Sequence, residues 1–129
     1  SQLFPVLVLA IIQNQGLVAI EQPELHTHPA LQVELADVFI RYAKKNNTLF
    51  LLETHSEHLM LRLLRRVRQS TDNEQVSGDL VVTAADVAVQ YVEPTSLGTT
   101  FKRLRVDEDG EFLDKWPRGF FIERRQELM

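Results

Sequence analysis

Two short apolar runs, Leu17-Val18-Ala19-Ile20 and Thr48-Leu49-Phe50-Leu51-Leu52, each stop at a glutamate that opens a polar cluster. A short continuous apolar run bounded by turn-forming residues is the pattern of a strand covered on both faces, as in a parallel sheet. The residues between the runs read as an amphipathic helix from Pro29 to Lys45. Leu31, Leu35, Val38, Phe39 and Tyr42 recur there at helical spacing, Pro29 takes the first helical position, and Lys-Lys-Asn-Asn closes it. Consecutive buried strands joined by a helix run parallel, and ligands of such sheets sit beyond the strand C-termini. The two polar clusters, Glu21 to Pro29 and Glu53 to Glu57, fall there.

The flanking sequence extends this unit. Leu3 to Ile12 is apolar nearly all round, which predicts a helix buried between layers, with Pro5 tolerated in its first turn and Asn14 to Gly16 ending it. Thr54 and Glu57 have the spacing of a capping box for a third helix. Its Leu59, Leu63 and Val67 form one stripe, surrounded by Arg62, Arg65, Arg66 and Arg68. The character changes after the polar stretch Ser70 to Gly78. Val87 to Val92, Thr100 to Val106 and Glu111 to Leu113 read as short strands, and Asp107-Glu108-Asp109-Gly110 as a hairpin turn. Trp116, Phe120 and Phe121 form an aromatic patch read as a small core beneath them. The expectation is an α/β unit over residues 1–72, a parallel sheet with flanking helices. A small antiparallel hairpin or sheet follows over residues 73–129.

Composition narrows the classes. Of 129 residues, 44% are hydrophobic and 25% charged, which is ordinary for a globular domain and favours neither a disordered nor a membrane class. The net charge of -4 argues against a surface wholly devoted to nucleic acid. The absence of cysteine removes any disulfide framework, so a reducing, cytoplasmic setting fits. The opening LFPVLVLAII is about half the roughly 20 residues of a membrane span, and no membrane association is expected. The chain enters that run at Ser1 without a methionine, which suggests a piece cut within an element.

A rigid strand ending in one acid is a means of aiming a carboxylate at a metal ion that bridges phosphates, and Glu21 occupies such an end. Gln22-Pro23-Glu24-Leu25-His26-Thr27-His28-Pro29 then places several ligand-capable side chains in one loop, and Glu53-Thr54-His55-Ser56 brings a histidine to the same sheet edge. LVAIEQPELHTHP followed by LFLLETHSEHL resembles the back half of an ABC-class ATPase head, as found in overcoming-lysogenization-defect-like AAA ATPases. The resemblance spans roughly residues 1–68 and implies a fragment of a P-loop NTPase sheet. It implies ATP and Mg²⁺ as ligands, with Glu21 as the Walker B magnesium residue and Gln22 as the residue that positions the attacking water. The loop Leu25 to Pro29 would meet a partner protomer, and His55 would contact the γ-phosphate. Ser1-Gln2-Leu3-Phe4-Pro5 is similar to the end of the signature segment, which presents backbone N–H groups to the nucleotide of the opposite protomer. Ser1, Gln2, Glu24 and His28 are accordingly candidate nucleotide contacts. The region from Val87 onward is similar to a C-terminal module of unknown function appended to some of these ATPases.

Two departures bear on activity. Gln22 stands where the family most often has glutamate, and an amide orients water but takes no proton at neutral pH, so slow hydrolysis or help from Glu24 is expected. No GxxxxGK[ST] occurs in the 129 residues, so the phosphate cradle must come from a missing N-terminal half of the head, and the chain alone should bind ATP poorly. A homodimer would complete the site. Two other readings stay open. His26, His28, His55 and His58, with Glu21, Glu24, Glu53 or Glu57, could form a metal-dependent hydrolase site. Arg62, Arg65, Arg66 and Arg68 could engage DNA phosphates in a non-enzymatic fragment, and the aromatic patch could stack bases.

Overall fold

Glu21 and Glu53 lie side by side because the two apolar runs pair directly. The computed structural model describes residues 3–12 and 15–116. Its elements are α1 (Leu3–Ile12), β1 (Gly16–Glu21), α2 (Pro29–Lys45), β2 (Thr48–Glu53), α3 (Glu57–Thr71), β3 (Val89–Thr95) and β4 (Gly98–Leu104). β1 and β2 are parallel in one continuous register, from Gly16 opposite Thr48 to Glu21 opposite Glu53. β3 and β4 form an antiparallel hairpin. The chain is therefore α/β with a separate small antiparallel element, as the patterning implied. Among the described residues no helix is long and apolar enough to cross a membrane.

From Leu17 in β1 and throughout β2 the strands alternate in burial. Val18 is buried and Ile20, Phe50 and Leu52 pack against a core of Val6, Leu35, Ala36, Phe39 and Leu59. The Phe39 and Phe50 rings meet at 5.0 Å with a 57° tilt, an arrangement that suits their quadrupoles. The opposite face is bare: Leu17, Leu49 and Leu51 are 58%, 68% and 61% exposed. This corrects the expectation of strands covered on both faces. The same holds for α1, which buries Val6 and Ala10 but exposes Leu9, Ile11 and Ile12. The physical reason is that the helices contacting this sheet all come from one side, so alternate strand residues have no layer to bury them among the described residues.

Loop chemistry fixes how the elements meet. Asn46 Nδ2 donates to the carbonyls of Ala10 and Ile11, satisfying the open end of α1, while its own carbonyl accepts the Gln15 N–H at 2.7 Å. Asn47, at φ +50, makes the left-handed step from α2 into β2. At the start of α3 the cap is Ser56 rather than Thr54. The Ser56 hydroxyl accepts the Leu59 N–H at 3.1 Å, and Thr54 Oγ1 accepts the Ser56 N–H one step earlier. The helix thus begins at Glu57, two residues later than the capping-box spacing suggested.

A second core joins the two parts of the chain. Ile40 from α2 and Val67 from α3 pack with Leu80 and Val82, carried by an irregular connection with 3₁₀ turns at Gly78–Leu80 and Ala84–Asp86. The Ser70 hydroxyl accepts the Val82 N–H, and Arg41 pairs with Asp79 at 2.6 Å. Leu64 joins Leu59 and Val67 as the buried residues of α3, while Leu63, expected on that stripe, is only half-buried.

The C-terminal strands are shifted relative to their sequence reading. β3 runs to Thr95 and β4 starts at Gly98, so the hairpin closes at Ser96-Leu97, where Gly98 takes φ +122. The expected strand at Glu111 to Leu113 is reduced to a single bridge between Val106 and Phe112. Asp107 to Gly110 does turn the chain there, with Asp107 Oδ1 accepting the N–H groups of Asp109 and Glu111. Trp116 makes edge contacts with Phe112 at 4.9 Å and Tyr91 at 6.3 Å, so it belongs to the small core; Phe120 and Phe121 lie outside the described residues. Arg105 grips Asp114 through its main-chain N–H and its guanidinium, which holds the Asp114 carboxyl down at about 2.

Candidate functional site

The loop after β1 is forced into an unusual path by its sequence. The Gln22 N–H still follows the sheet, donating to the Glu53 carbonyl at 2.7 Å, but Gln22 itself takes φ +46 and His26 φ +62. Left-handed conformations at non-glycine residues cost energy and gather where a structure over-determines a loop, often at sites of function. Pro23 between them is buried, and the Leu25 and Thr27 N–H groups close back on the carbonyls of Gln22 and Glu24. The result is a tight knot directly beyond the strand.

That knot and the loop after β2 share an open cleft of about 410 Å³, whose walls include Gln22, Glu24, His26, Gln32, His55 and Ser56. Three expected site residues from separate strand ends, Gln22, Glu24 and His55, are therefore brought together. Glu24 is 9% exposed, and its Oε1 accepts the main-chain N–H of His55 at 2.9 Å. The His55 side chain is exposed. Glu21 stands at the adjoining strand end, exposed and directly opposite Glu53. Like charges held side by side at the strand ends repel one another.

Other expected residues are placed differently. His28 is the N-cap of α2, where its Nδ1 accepts the Ala30 N–H at 3.2 Å. Ser1 and Gln2 lie outside the described residues. His58 faces a second cleft with Val33, Leu61, Arg62 and Arg65, away from the other histidines. Among the described residues no group of three or more His, Cys, Asp or Glu side chains is arranged to hold a metal ion. The His26, His28 and His55 set that a metal-dependent hydrolase would need is not assembled.

The arginine strip also divides. Arg66 makes a bidentate pair with Asp37, both bonds at 2.9 Å, which raises its already high pKa chiefly through that hydrogen bond. Arg62 reaches the same carboxylate at 3.8 Å. Arg65 and Arg68 remain exposed. Two of the four cations thus face α2 and not an outside partner.

Sequence reasoning missed Gln32 and Ser56. Gln32 Nε2 donates to the Thr27 carbonyl at 2.9 Å and its Oε1 accepts the Ser56 hydroxyl at 2.6 Å, so one α2 amide touches both loops. A signal was present: Gln32 precedes Leu35, Ala36 and Phe39 on the buried stripe of α2, and a polar residue on an apolar stripe needs a partner.

Compared with known proteins, residues 8–60 match the family model described as AAA ATPase domain. No curated protein and no solved structure matches. The matched stretch contains both parallel strands and both loops of the cleft, and it is similar to part of an AAA-type ATPase domain.

Proposed function

We propose that the cleft beyond β1 and β2 is one wall of an ATP site in an ABC-like ATPase head of the overcoming-lysogenization-defect type. One observation carries the reading: Gln22 and His55, from loops far apart in sequence, line the same cleft inside the stretch similar to an AAA ATPase domain. In it Glu21, with Glu53 beside it, would hold Mg²⁺, which supplies charge neutralisation for the phosphates when bound. Gln22 orients the attacking water by hydrogen bonding, and His55 contacts the γ-phosphate. His28 and the Ser1-Gln2 segment serve the nucleotide across a dimer, whose partner meets the loop Leu25 to Pro29. Catalysis is positioning and electrostatics, with no covalent intermediate on the protein. The β- and γ-phosphate cradle is supplied by residues beyond these 129, so the active unit is the full-length protein, working as a dimer in the cytoplasm. Residues 73–129 are a distinct appended module.

Gln22 makes this reading testable. An amide cannot accept the proton of the attacking water, whereas a carboxylate at the same place can. Gln22→Glu in the full-length protein is expected to raise steady-state phosphate release from ATP by about tenfold or more, in line with general-base contributions. Turnover unchanged or lowered by this substitution would remove Gln22 from the water-positioning role.

A further inference from the structure

The two loops of the cleft have no regular secondary structure to hold them, yet three side-chain bonds tie them together. Glu24 Oε1 accepts the His55 N–H at 2.9 Å across 31 residues of sequence. Gln32 accepts the Ser56 hydroxyl at 2.6 Å and donates to the Thr27 carbonyl at 2.9 Å. Without Glu24, the His55 N–H would lose the acceptor that anchors it to the opposite loop, and it would exchange one carboxylate-bonded geometry for many water-bonded ones.

Burial of Glu24 is the telling feature. A loop glutamate is ordinarily solvated, because taking a carboxylate out of water is costly unless something requires it there. Glu24 is 9% exposed, and among the described residues its Oε2 is buried with no hydrogen-bond partner. The side chain is therefore not placed to satisfy itself. What its position achieves is to fix the backbone at His55.

We propose that Glu24 is a positioning residue that sets the His55 backbone, and with it the imidazole, against Gln22, while Gln32 locks the same two loops from α2. The inference rests on the nucleotide reading of the cleft, and it assigns Glu24 a role through His55 in place of direct contact with nucleotide. It also accounts for a pair of loops that must keep sub-ångström alignment, since a displacement of about 1 Å at a reacting centre costs on the order of 100-fold in rate.

The test pairs amide hydrogen exchange with ATP turnover in the full-length protein. Glu24→Ala is expected to speed exchange at residues 54–56 by about tenfold or more while core amides of α2 stay protected. It should lower kcat by about tenfold or more with KM nearly unchanged, the signature of lost positioning and not of lost binding. Glu24→Gln retains an oxygen that accepts the His55 N–H and is expected to restore both readouts. Should Glu24→Ala fail to fold, Gln32→Met removes the other tie without a charge change and is expected to speed exchange at the same residues. Unchanged exchange at 54–56 in the folded variants, with His55→Ala still inactive, overturns the tether and leaves the ATPase reading standing. Full turnover by His55→Ala overturns both.

Discussion

Glu21→Ala and His55→Ala, each made in the full-length protein, are expected to lower Mg-ATP turnover by at least about 100-fold, the scale on which removal of one group that stabilises transition-state charge is felt. Both side chains are exposed, so neither substitution opens a cavity in the core. His55→Ala also keeps the main-chain N–H that Glu24 holds, so the loop after β2 retains its anchor. The unfolding midpoint of either variant should therefore lie close to that of the parent. Loss of turnover with an unchanged midpoint assigns the two residues to chemistry. Turnover at the parent level in both variants shows that the strand-end acid and the histidine do not serve the nucleotide.

The second large effect is on stability. Gly110 sits at φ +73 in the turn that docks on α3, and a Cβ there would overlap the Leu64 carbonyl oxygen, with the carbonyl carbon only 3.0 Å away. The obstacle is helix backbone, which has no rotamer by which to yield. Thr71 Oγ1 also donates to the Glu108 carbonyl at 2.5 Å, so the turn is pinned on both sides of its tip. Gly110→Ala is expected to destabilise the chain by about 2–4 kcal/mol, combining a left-handed penalty with overpacking. Gly98→Ala is the control. Gly98 has φ +122 but nothing within 4 Å of its would-be Cβ, so it incurs the conformational penalty alone, about 1–2 kcal/mol. Denaturant unfolding of the two variants distinguishes the docked turn from a free one: equal losses would mean that the turn does not pack on α3.

Where the sequence was legible, local physics decided the outcome. α1, α2 and both parallel strands lie where periodicity and turn residues put them, because Pro29 at the first helical position and Asn46-Asn47 at the end leave little choice. Glu21 and His55 were legible as strand-end residues for the same reason. The cap of α3 was harder: Thr54 and Ser56 both offer hydroxyls, and only tertiary packing against Gln32 selects Ser56. The bare face of Leu17, Leu49 and Leu51 was illegible, since an apolar strand residue reads alike whether or not a layer covers it. The inward turn of Glu24 was illegible too. It depends on a bond to a residue 31 positions away, and a loop glutamate carries no pattern that announces burial. In the C-terminal part the bounds of β3 and β4 differ from the sequence reading because Ser96-Leu97-Gly98 is a weaker turn signal than Asp107-Glu108-Asp109-Gly110, although it closes the longer hairpin.

The most direct test of the nucleotide reading is photo-crosslinking of the full-length protein with ATP carrying an aryl azide on its γ-phosphate, followed by mass spectrometry of the labelled peptides. Adducts are expected within residues 21–28 and 53–57, and excess Mg-ATP should suppress them. Adducts confined to other segments, or labelling at these loops that ATP does not compete, would contradict it.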